Sequence, residues 1–240
     1  MQKILLTLAI ILLIASANAV AHGQSKPILS RAGQYSAAFK KFQSQKGRRS
    51  IEPLIKKGTL VSDKLEDIES LDEGEYAKLK SRMKGYAVNS EEILFIEPDV
   101  DYFVKLANKR GTKTDIAFFA FLKRLKPDSV WPAYIEQETD FGGCTRYGNG
   151  LSTGLYKKAI QFRKTFPTSY AGDVKKAVED IIQNFKENPY TCSSRADILK
   201  EYRLFIKTFP KDRNTPAVRA ALKTVEKKKD LYGRHWREGL

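Results

Sequence analysis

The feature that most constrains the fold is a repeated helix-stop pattern. Leu155, Ala159, Phe162 and Phe166 fall at i, i+4, i+7 and i+11, the apolar stripe of one helix, and Pro167 ends it. Ile198, Tyr202, Phe205 and Phe209 repeat that spacing, and Pro210 ends the second helix. The copies lie 43 residues apart and share Lys-Thr-Phe-Pro at 164–167 and 207–210. Each is followed by an Ala/Val-rich run with i, i+3, i+4, i+7 spacing: Val174, Ala177, Val178 and Ile181, then Val218, Ala221, Leu222 and Val225. Thr215-Pro216 supplies an N-cap and a proline at the first helical position of the last run. A degenerate earlier copy runs Phe118, Phe121, Leu122, Leu125, Pro127 and then Val130 to Tyr134. Helix pairs at such a period bury their stripes against neighbouring pairs. The expected fold is therefore mainly α, with an α-solenoid-like stack of helix pairs in the C-terminal half.

Upstream, charge divides the chain. The net is +8 over 20–60, −7 over 61–101 and +13 over 102–240, within a total of +15. Residues 20–60 have few apolar anchors, and Gly47-Arg48-Arg49-Ser50 interrupts a weak helical pattern around Phe39 and Phe42. They read as a basic N-terminal arm, exposed or loosely docked. Residues 61–101 read as an acidic helix over Asp72–Met83. Two short runs follow, Gly85–Val88 and Ile93–Ile96, which fit a small β-hairpin or buried helix segments. Asp99 starts the next helix, and 102–240 form the helical-repeat domain.

Lys3 precedes an apolar run, Ile4–Ile14, and Ala17-Asn18-Ala19 forms a small-x-small pattern. This reads as a signal peptide over 1–19 whose removal leaves Val20 first. No later stretch is long and apolar enough to span a bilayer, so a protein of the periplasm or exterior is expected. In that compartment Cys144 and Cys192, the only two cysteines, are expected to form a structural disulfide. Each lies between the second helix of one unit and the first helix of the next.

Ala159, Phe162, Phe166-Pro167 and Ser169, with Tyr202, Phe205 and Phe209-Pro210, resemble the turn of exported bacterial tetratricopeptide-like repeats over about Asp115–Lys229. The resemblance implies a scaffold or adaptor that presents a groove to partners. Lys157, Arg163, Lys175, Lys200, Arg203 and Arg219 stand at helix positions that can line such a groove. Export favours an acidic envelope protein, anionic glycan or lipopolysaccharide over nucleic acid as the partner.

The alternative is an enzyme. Glu138-Thr139-Asp140-Phe141 is similar to the Glu-Ser-x-Phe stretch around the acid of lysozyme-like lytic transglycosylases. That likeness implies peptidoglycan cleavage with Glu138 as general acid. Otherwise these acids belong to the C-terminus of a helix. No Walker loop, Gly-x-Gly-x-x-Gly or Gly-x-Ser-x-Gly is present, so no cofactor is expected. Two His and two Cys leave almost no material for a metal site.

Overall fold

The computed structural model describes residues 26–65, 71–89, 95–139, 142–187 and 190–227. The expected signal peptide, His22 and the basic aromatic cluster Tyr232–Arg237 lie outside the described residues. Among the described residues the fold is mainly helical with two small antiparallel hairpins. It divides into two compact units between Gly111 and Thr112, ten residues beyond the change in charge that marked the expected boundary at 101/102.

The first unit holds α1 (26–44), α2 (Glu52–Ser62), α3 (Glu73–Arg82), β1 (Tyr86–Asn89), β2 (Phe95–Pro98) and α4 (Val100–Arg110). Its opening corrects the expectation of an exposed or loosely docked arm over 20–60. Ile28, Ala32, Tyr35, Phe39 and Phe42 are buried along one face of α1. The spacing i, i+4, i+7, i+11, i+14 is helical, but three of the five anchors are aromatic and polar residues separate them, so the stripe is thin in sequence. The Tyr35 ring packs edge-on against Tyr86, and Tyr86 against Phe103, at centroid distances of 5.2 and 5.5 Å. The Tyr35 hydroxyl donates to the Lys84 carbonyl at 2.6 Å.

Basic residues of the same stretch also have internal work. The Arg48 guanidinium donates to the carbonyls of Gly111 and Asn108 at 2.8 and 3.0 Å, and the Arg49 backbone N–H donates to the Arg110 carbonyl. These bonds satisfy carbonyls that α4 leaves open at its C-terminal end, where cations are also favoured by the helix dipole.

Glu73–Arg82 is helical as expected, with a capping box in which Asp72 accepts from the Glu75 N–H. The hairpin reading of the two short runs is the one that forms: Val88 pairs with Ile96 and Tyr86 with Pro98. Asp99 caps α4 by accepting from the Tyr102 N–H. Gly58 of α2 permits the close approach of Tyr86, whose hydroxyl oxygen stands 1.9 Å from where a Cβ would be.

The second unit holds α5 (Lys113–Leu125), β3 (Ile135–Thr139), β4 (Gly142–Thr145), α6 (Leu151–Thr165), α7 (Ala171–Glu187), α8 (Arg195–Thr208) and α9 (Thr215–Lys227). Helices α6 and α7 pack as one pair and α8 and α9 as the next. Between the pairs α6 touches α8 and α7 touches α9, while α5 packs on α6. The two copies of the stop are alike in detail. Phe166 and Phe209 close their helices through N–H donation to the Phe162 and Phe205 carbonyls at 2.8 and 2.9 Å. The Phe162–Phe166 and Phe205–Phe209 rings each lie 5.1 Å apart, at interplanar angles of 47° and 51°. Thr215 does not cap α9 as expected: its hydroxyl donates to the Phe209 carbonyl.

The degenerate first copy departs from the pattern. Its first helix, α5, forms and buries Phe118, Phe121 and Leu125. No second helix follows: residues 130–134 lead into the β3–β4 hairpin. Two prolines, Pro127 and Pro132, remove backbone donors within six residues, and Pro132 biases Trp131 away from helical angles.

Candidate functional site

Three polar junctions fix the connections of the second unit. The first is the disulfide between Cys144 on β4 and Cys192 in the α7–α8 connection, whose Cα atoms are 5.2 Å apart. Around it the two chain segments run side by side. Thr145 and Thr191 form a parallel bridge, the Thr145 N–H donates to Tyr190, and the Cys192 N–H donates to Thr145. The Thr191 hydroxyl also donates to the Thr145 carbonyl at 2.7 Å. Cys144 is buried and Cys192 is exposed.

The second junction is a buried carboxylate. α6 starts at Gly150, which has a left-handed backbone and no capping side chain of its own. Glu201 of α8 caps it instead. One carboxylate oxygen accepts from the Gly148 and Gly150 N–H groups at 3.2 and 2.7 Å, and the other from the Thr153 N–H and hydroxyl at 3.0 and 2.8 Å. Glu201 is fully buried, so these donors replace the water it gives up. Gly148 is required beside it: its φ is +94°, and a Cβ there would meet Asp197 at 2.5 Å.

The third junction pairs tyrosines with aspartates at the turns. The Tyr170 hydroxyl donates to buried Asp115 at 2.6 Å, and its ring stacks on Phe118 at 3.7 Å. The Tyr156 hydroxyl donates to Asp212 at 2.8 Å and accepts from the Asn214 side-chain amide. Burial pushes the Tyr156 hydroxyl up to about 12, with the Asp212 bond and charge adding to the rise and Asn214 and Arg213 opposing it.

The six cations expected to line a groove are not brought to one place by any contact among the described residues. Lys175 pairs with Glu179 along α7, and Arg203 of α8 pairs with Glu226 of α9 at 2.9 Å. Lys157, Lys200 and Arg219 are exposed. Arg163 is half-buried and lines a cleft of about 420 Å³ with Lys164 and Arg213. A second cleft, of about 320 Å³, lies between α5 and α6 and carries Arg124 and Lys158. Both clefts involve the C-terminal half of α6.

Glu138 lies on strand β3, which corrects the expectation of a helix C-terminus there. It is exposed, and the Tyr190 hydroxyl donates to it at 3.4 Å. Asp140 and Phe141 of the same stretch lie outside the described residues. A glycosidase acid is made by an apolar pocket that disfavours its charged form. Glu138 instead shares its strand with exposed Glu136, Gln137 and Thr139.

Sequence reasoning missed Glu201 and Asp115, although both carry a signal. Glu201 interrupts the apolar stripe of α8 at three residues from Ile198 and four before Phe205. Asp115 stands three residues before Phe118. A carboxylate on a buried stripe must find donors, and here it does. Arg213 and the α6 clefts had no such signal, because they are assembled from separate helices. Comparison with family models, curated proteins and solved structures finds no match to this chain.

Proposed function

We propose that this chain is an exported interaction or scaffold protein of the cell envelope, presenting a basic helical surface to an acidic partner. The observation that carries the reading is the pair of clefts flanking α6, which gather Arg124, Lys158, Arg163, Lys164 and Arg213 on a stack of helix pairs. Stacked helix pairs offer extended surfaces for partners. Export is supported by the N-terminal run after Lys3 and by the disulfide, a bond that persists in oxidising compartments. No helix among the described residues is long and apolar enough to cross a membrane. The partner this surface suits is an acidic envelope protein or an anionic glycan such as lipopolysaccharide.

The test is association of the mature chain with immobilised dextran sulfate at rising salt. Charge attraction is screened over about 8 Å at physiological ionic strength, so the on-rate is expected to fall steeply from low to moderate salt. A rate indifferent to salt removes the basic surface from the account. Clearing of a peptidoglycan gel by the wild type but not by Glu138→Gln would replace the scaffold reading with the enzymatic one.

A further inference from the structure

Within the cleft of about 420 Å³, Arg163 and Lys164 come from the last turn of α6, and Arg213 comes from the α8–α9 connection. Its apolar lining is Tyr156, Ile160 and Pro167. None of the three cations makes a salt bridge among the described residues. The single carboxylate of the lining, Asp212, is already occupied: it accepts from the Tyr156 hydroxyl and from the Asn214 backbone N–H, each at 2.8 Å. The cleft is thus left with a surplus of two positive charges.

Helix-dipole complementarity accounts for Arg163 and Lys164, which stand at a helix C-terminus. It does not account for Arg213. That residue precedes the start of α9 by two positions, at the positive end of a helix, where a cation is disfavoured. Its charge also opposes the upward shift of the Tyr156 hydroxyl, which places its influence at the cleft lining. Two planar guanidinium forks and one ammonium suit an oxyanion with several acceptor oxygens. A surplus of two charges suits a dianion. The volume lies within the range of roughly 300–1,000 Å³ typical of small-ligand pockets, and half-buried Ile160 with exposed Pro167 offers an apolar surface to the C–H face of a sugar.

We propose that this cleft binds a phosphate monoester carried on a sugar, as a unit of an anionic glycan, with Arg163, Lys164 and Arg213 holding the phosphate oxygens. The proposal rests on the anionic-glycan form of the function proposed above. The test titrates the mature chain with glucose 6-phosphate, glucose and inorganic phosphate by calorimetry. It also measures sedimentation with vesicles containing phosphatidic acid. Glucose 6-phosphate is expected to bind more tightly than inorganic phosphate, and glucose not at all. Arg163→Gln with Arg213→Gln should weaken binding by about tenfold or more, as expected for lost charge-assisted hydrogen bonds. Lys40→Gln, exposed on α1 of the first unit, should leave it unchanged. Both arginines lie outside the buried core, and an unaltered unfolding midpoint of the double variant checks its fold.

Absence of glucose 6-phosphate binding, equal binding by the double variant, or binding of phosphate only on vesicles would each overturn the proposal. Dextran sulfate capture by the same proteins separates the two readings. Capture by wild type and double variant alike, without phosphosugar binding, ends the cleft proposal and keeps the basic-surface function. Phosphosugar binding without capture does the reverse.

Discussion

The two units solve the problem of holding short helices together by different means. All seven buried polar or charged residues among those described belong to the second unit: Asp115, Thr145, Ser152, Thr153, Thr191, Glu201 and Thr215. The first unit relies on aromatic edges and on donors that reach backbone carbonyls, such as Tyr35 to Lys84, Tyr76 to Val88, Ser62 to Ile96 and Arg82 to Leu29. The difference follows from where helix ends lie. At α6 the start of one helix meets the side of another, and its open N–H groups must be satisfied inside the protein, whereas α5 and α8 keep local caps at Thr112 and Ser194. Glu201 does this for α6. Where helix ends face water, as at the capping box of α3, a local side chain suffices.

The comparison predicts where each unit breaks. The largest effect is expected from the aromatic stripe common to both. Phe205 is fully buried against Tyr156, Phe185 and Phe209, and Phe103 against Tyr86 and Tyr102. Truncation of either to Ala should cost about 3–5 kcal/mol. Amide hydrogen exchange should place the loss in the helices of the variant's own unit, and a loss below about 1 kcal/mol would mean the site collapses around the missing ring.

Reduction of the disulfide is expected to separate the units more sharply. It closes a 48-residue separation, for which loop entropy alone suggests on the order of 4 kcal/mol and typical measured values are about 2–4 kcal/mol. Protection of α6 to α9 should fall while that of α1 to α4 stays unchanged. Equal loss in both would erase the contrast.

Glu201→Gln puts an amide donor against backbone donors that now share one carboxylate. A loss of about 1–3 kcal/mol is expected, with faster exchange at Gly150 and Thr153. Unaltered exchange there would show that water can cap α6 equally well.

The smallest effect is alkaline. Burial raises the hydroxyls of Tyr35 in the first unit and of Tyr134 and Tyr156 in the second above their ordinary value of 10.0. The unfolded chain then loses protons first, so their contribution is whole below about pH 10 and declines as pH rises; for Tyr156 the decline runs to about 12. Tyr156→Phe should flatten that part of the stability profile measured by denaturant midpoints, whereas an unchanged slope would assign it to the other tyrosines.

Much of the second unit was legible in the order of residues. The stripes of α6 to α9, the stops at Pro167 and Pro210 and the pairing of Cys144 with Cys192 follow from periodicity, proline chemistry and the availability of one cysteine partner. The hairpin around Val88 and Ile96 was legible only as one of two options, since a short apolar run suits a strand or a buried helix equally. The first helix is hidden in the sequence because charge outweighs its few apolar anchors over 20–60. Its Lys and Arg stand between anchors that are buried, and long basic side chains can cover apolar surface while their heads stay in water or bind carbonyls.

Other features exist only in three dimensions. The seating of the β3–β4 hairpin depends on a partner segment at Thr191, 46 residues from Thr145. The cap that Glu201 gives α6 spans 51 residues to Gly150, and the cleft joins Arg163 to Arg213 across two helices. Local sequence determined which residues turn inward, because burial follows the 3.6-residue period of the helix. Tertiary structure alone decided which inward and flanking polar groups meet, because long-range hydrogen bonds and charge clusters depend on distance in space, on which local periodicity is silent.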